Sequence, residues 1–164
     1  MITTVEQIED LIQPILQQEG VRLCGVRISG RSSRPLIQIY VDWEEDWITI
    51  DACAKITRAL LDLFDMQERF APDYRLEVSS PGLDWPLTET WQFRKNIGRV
   101  IASRNAEGEF QAKLLDVTAD GIIKVEIAGE TRDASVAELT GAKLVLFPKS
   151  STKSGRKRNE ARSR

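Results

Sequence analysis

"YRLEVSSPGLDWPL", residues 74–87, changes character three times within fourteen positions. Tyr74, Leu76 and Val78 alternate with Arg75, Glu77 and Ser79, the period-two pattern of a half-buried strand. Pro81-Gly82 then has the residue order of a type II turn, a pre-set φ followed by a residue that tolerates positive φ. Ser80 and Trp85 each precede a proline and are pushed toward extended backbone. Together Ser80, Pro81, Gly82, Leu83, Asp84, Trp85 and Pro86 predict a stiff exit from a strand, a joint between two domains. A catalytic turn on Ser79 or Ser80 finds no support, because the chain has no histidine to accept a proton and no Gly-x-Ser-x-Gly.

On the N-terminal side of the joint, Thr3 and Thr4 precede Glu6 and Gln7 by three residues, the spacing of a capping box. Val5, Ile8, Ile12 and Ile15 place one apolar stripe on the helix that follows. Pro14 lacks the N–H that would bond back to Asp10 and predicts a kink or a weaker last turn, and Gly20 suits the C-cap. In "VRLCGVRIS" (residues 21–29) the alternation shifts phase at Cys24-Gly25, which predicts a bulge. Ile37, Ile39 and Val41 share one face of the next strand, antiparallel to the first across "GRSSRP". Thr49 then caps a helix with Cys53, Ile56, Leu60 and Phe64 in its stripe and Leu63 widening it. The order α-β-β-α-β predicts two helices on one face of a three-stranded sheet.

On the C-terminal side, a helical turn in "TETWQFRKNIG" ends at Gly98, and five short strand-like runs follow, in "RVIAS", "FQAKLLDV", "GIIKVEI", "TRDASV" and "KLVLF". Tight turns between short strands predict a small closed or half-closed barrel. The expected fold class is therefore α+β, with a domain over 1–87, a barrel over 88–148 and a tail over 149–164 that composition alone leaves disordered.

Charge is unevenly distributed along the chain, whose net charge is -2. Residues 1–87 hold 15 acids and 8 bases, 88–148 hold 9 and 8, and 149–164 hold one acid and seven bases. Lys149, Lys153, Arg156, Lys157, Arg158, Arg162 and Arg164 match a flexible phosphate-binding arm. Asp42, Glu44, Glu45 and Asp46 lack the glycine and spacing of a calcium loop and read as a solvated acidic surface able to steer a basic protein. Cys24 and Cys53, far apart and inside apolar patterns, fit buried thiols rather than a disulfide or a zinc site. No metal, cofactor or catalytic residue is expected. No apolar run approaches a membrane span, so a soluble cytoplasmic protein is predicted.

The joint, preceded by "GVRLCGVRI" and "ITIDACAKITRALLD" and followed by "FRKNIGRV", resembles the bacterial ribosome maturation factor RimP family from the first helix to Phe147. The string "LEVSSPGLD.PL" is specific to that likeness. The resemblance implies a KH-like N-terminal domain, an SH3-like or Sm-like barrel, and a non-enzymatic role in late assembly of the small (30S) ribosomal subunit. It further implies binding to the free immature subunit and to one of its ribosomal proteins; the basic tail is expected to meet 16S rRNA, and the protein to act as a monomer. Family members usually carry arginine before the second proline, where this chain has Trp85. A general RNA-binding translational regulator is the alternative.

A KH fold that clamps single-stranded RNA uses Gly-x-x-Gly, and no two glycines here are three apart. Residues 1–87, with a net charge of -7, should repel RNA unless their bases cluster. Arg27, Arg31 and Arg34 flank the first hairpin and read foremost as solvated turn residues, with a local basic tip as the other reading.

Overall fold

A computed structural model describes residues 4–67 and 73–148. The seven basic residues of the tail lie outside the described residues.

Helix α1 spans Val5–Gln18 and opens with the capping box expected, formed by Thr4 and Gln7. Its backbone runs through Pro14 for one further turn to Gln18. At its end Glu19 is the C-cap and Gly20 follows at φ 66°, the left-handed conformation open to glycine. Gly20 N donates to Gln17 O and Val21 N to Leu16 O, the paired bonds of a Schellman motif. Val21 is thereby turned inward, buried in the same core as Leu16.

Strands β1 (Arg22–Arg31) and β2 (Arg34–Asp42) pair antiparallel, with the register shift between Leu23 and Gly25 where the alternation changes phase. Helix α2 (Ile50–Asp65) starts at Thr49, whose hydroxyl accepts from Ala52 N at 3.2 Å. It leads to β3 (Arg75–Ser79), parallel to β2, giving the order β1-β2-β3. Ile8, Ile12 and Leu16 of α1 share one core with Ile56, Leu60 and Phe64 of α2 and with Ile37, Ile39 and Val41 of β2. Both helices thus cover one face of this sheet and leave the other free of helices.

A short helix α3 (Thr90–Lys95) precedes β4 (Val100–Asn105), β5 (Gly108–Val117), β6 (Ile123–Ile127), β7 (Glu130–Ala134) and β8 (Lys143–Leu144). These five strands pair in the order β7-β6-β5-β4-β8 around Phe93, Ile101, Leu114, Ile123 and Val125. All four pairings are antiparallel. The strands were expected, but the closed barrel is not formed: β7 and β8 end the sheet on opposite sides. Closure requires strands long enough to tilt and meet the far edge. Here β8 has two residues instead of the run expected over 143–147, and Leu146 and Phe147 beyond it are exposed. Among the described residues no helix is long and apolar enough to cross a membrane.

Candidate functional site at the domain joint

Tyr74, Leu76 and Val78 pack against the first core and Leu87 lies in the second, but the chain between them does not take the expected turn. Gly82 does not adopt positive φ, so Pro81-Gly82 does not form a type II turn. The chain turns two residues later, where Trp85 N donates to Gly82 O at 3.1 Å. Pro81 and Pro86 fix φ on either side of that turn and hold Trp85 against the first domain. Leu87 N then donates to Ala142 O at 2.7 Å, and the Leu87 side chain enters the second core.

Trp85 is the centre of the joint. Its indole N–H donates to Cys24 O at 2.9 Å, a carbonyl at the β1 bulge. Its ring lies 4.3 Å from the Tyr40 ring, centroid to centroid, tilted by 33°. A Cβ added at Gly25 would stand 2.1 Å from Trp85 Cζ2, so the bulge needs glycine there because the indole occupies the space of a side chain. The Arg27 guanidinium sits 5.2 Å from the Trp85 ring centre and 6.0 Å from that of Tyr40.

The acidic loop holds the domains together from the other side. Asp42, read from sequence as part of a solvated acidic surface, is buried. Its Oδ1 accepts from Trp43 N at 3.0 Å and Ile48 N at 2.9 Å, while Oδ2 accepts from Lys95 Nζ of α3 at 2.5 Å. Both side chains of this pair are 4% exposed. Lys95 also donates to Trp43 O at 3.0 Å and to Asp46 O. One ammonium of the second domain thus ties down the 42–46 loop of the first. Trp47 lies against the same cation, 4.2 Å from Lys95 Nζ, and 5.0 Å from Arg99 Cζ. Of the remaining acids, Glu44 accepts from Arg22 at 2.8 Å, and Glu45 and Asp46 are exposed. No group of three or more Cys, Asp or Glu side chains able to hold a metal ion occurs among the described residues.

Cys24, Asp42, Trp85, Trp91, Gln92 and Lys95 line one of the spaces between the domains, about 30 Å³. That is an order of magnitude below the roughly 300–1,000 Å³ of small-molecule sites. Burial pushes the Cys24 thiol up to about 12, and the Asp42 carboxylate adds to the effect, so it stays protonated and unreactive. Gln92 fastens the start of α3 by accepting from Thr88 N at 2.6 Å and Glu89 N at 2.9 Å. Chemically, the joint can hold two surfaces at a fixed angle.

Of the seven joint residues, Pro81, Gly82, Trp85 and Pro86 line one space with Cys24 and Lys95, and Trp85 also meets Gly25 and Tyr40; among these partners only the Cys24-Gly25 bulge had a sequence signal. A lysine at the end of a short helix and a tyrosine in a strand carry no mark of their distant partners. Residues 11–84 match the family described as the RimP N-terminal domain, a span that ends directly before Trp85.

Proposed function

The chain belongs to the RimP family of ribosome maturation factors, and from that premise we propose that it acts without catalysis in maturation of the small ribosomal subunit. It binds the free immature subunit through a ribosomal protein and 16S rRNA and favours one conformation of the particle. Differential binding to two states is sufficient for that effect and calls for no catalytic residue. The KH-like and SH3-like classification of the two domains, a monomeric state and a cytoplasmic location belong to the same reading.

The family match carries this proposal, and the joint supports it. A buried ion pair and an indole wedge keep two binding surfaces at one mutual angle, so the cost of aligning them is met before the particle is engaged. Glu45 and Asp46 are placed to attract a basic ribosomal protein, and the 149–164 tail supplies seven cations for rRNA phosphate. Sedimentation of cell extract over a sucrose gradient tests the reading. The protein should travel with free small subunits and be absent from polysomes, and its loss should accumulate unprocessed small-subunit rRNA. Polysome association with normal rRNA processing would contradict it.

A further inference from the structure

The helix-free face of the N-terminal sheet has a charge opposite to that of the domain it belongs to. Beyond the bulge, alternation puts Gly25, Arg27, Ser29 and Arg31 of β1 on the side away from α1 and α2, opposite Tyr40, Gln38, Leu36 and Arg34 of β2. The parallel register adds Arg75, Glu77 and Ser79 of β3 to this face. Observed contacts agree: Arg27 lies over Tyr40, and Gln38 Nε2 donates to Glu77 at 3.1 Å. Among the described residues, four of the eight basic residues within 1–87 therefore share one face with Glu77, and Asp73 reaches Arg34 from its side, although the span carries -7 overall.

Two of the four arginines are partly neutralised, Arg34 by Asp73 at 3.6 Å and Arg75 by Glu77 at 3.8 Å. Among the described residues, Arg27 and Arg31 have no carboxylate partner, and both are exposed. Arg27 sits in mid-strand, not in the turn, and its guanidinium lies near the Tyr40–Trp85 pair with its donors uncommitted. Cations beside aromatic rings on an open surface form the combination that binds single-stranded nucleic acid, phosphate to guanidinium and base to ring. A peptide acid would use the charge but not the rings.

We propose that this face, centred on Arg27 with Arg31, Arg34 and Arg75, docks a single-stranded RNA segment, with the Tyr40–Trp85 pair as its aromatic wall. The proposal deepens the ribosomal reading above by giving the folded part of the first domain an RNA contact of its own, separate from the basic tail.

The test uses the full chain, so that the tail is common to all arms. Binding of a fluorescent 12-nucleotide oligouridine is measured across a salt series for the unaltered chain and for a chain with R27A, R31A, R34A and R75A together. A second variant carries lysine at the same four positions. The alanine variant should bind about tenfold or more weakly, with the log–log salt slope reduced by about 2–3, and the lysine variant should keep the slope. Equal thermal midpoints and near-UV spectra confirm that the exposed substitutions leave the fold intact.

Unchanged affinity and slope in the alanine variant would overturn the proposal. So would a 12-residue polyglutamate that binds the unaltered chain as tightly as the oligouridine and is lost in the same variant, since the face would then be a site for acidic peptide. Co-sedimentation with small subunits is run in parallel. Association of both the unaltered and alanine chains with one salt dependence removes the RNA face and leaves the ribosomal reading standing. Association of neither removes the ribosomal reading while the oligonucleotide still judges the face.

Discussion

Lys95 ends a six-residue helix and looks in sequence like any solvated lysine, yet its ammonium is the most heavily engaged charge among the described residues. Removing one partner of a buried pair strands the other, so Lys95→Met should cost about 3–5 kcal/mol, while Asp42→Asn combined with Lys95→Met should cost clearly less. Urea unfolding of both single variants and of the double variant checks this, and a double loss equal to the sum of the two single losses would mean that the pair is not coupled. Trp85 combines a stacked ring with a hydrogen bond to the bulge. Trp85→Arg should lose about 2 kcal/mol because the guanidinium cannot stack on Tyr40 as the indole does and meets Arg27 nearby. An unaltered thermal midpoint and domain orientation for that variant would show the ring to be incidental. Gly25→Ala tests the same wedge from below: the added methyl must displace the indole, at about 1–3 kcal/mol, read as a change in tryptophan near-UV dichroism.

Single elements were the most legible scale. Thr4, Thr49 and Gly20 mark helix ends by chemistry that acts within a few residues, and each does what its type dictates. Gly20→Ala should cost about 1 kcal/mol because φ 66° is strained for any residue with a Cβ, and Thr49→Ala about 1 kcal/mol through loss of the cap. Calorimetric midpoints of the two variants decide between these costs and none. The type II turn failed at this scale for an identifiable reason. Pro81-Gly82 permits that turn locally, but Trp85 must reach Cys24 O, and the chain therefore turns across Gly82–Trp85 instead. Strand β8 is likewise shorter than its apolar run, because pairing with Val100–Ala102 exhausts the partner available to it.

The whole molecule has a pH response that follows from its joint and its first core. Burial raises the Cys24 thiol from 9.0 and the Tyr74 phenol from 10.0, each to about 12, with Asp42 adding to the first and Asp65 to the second. Each folded-state pKa lies above its unfolded value, so the contribution to stability is complete below pH 9 and fades as pH climbs toward 12. The urea midpoint should fall between pH 9 and pH 11, and fall less in a Cys24→Ser, Tyr74→Phe chain; a parallel decline in both would assign the loss to other groups. The order of elements, the caps and the bulge were determined by sequence, because periodicity, proline and glycine act over a few bonds. Sequence also carried the family likeness through a string that physical chemistry alone would not single out. The tertiary structure alone decided that Asp42 is an internal anchor, that Trp85 is a wedge in a glycine slot, that the second sheet stays open, and that four arginines of an acidic domain share one face. Those outcomes depend on groups brought together across separations such as the 53 positions from Asp42 to Lys95, where burial changes what a charge is worth and no local pattern records the partner.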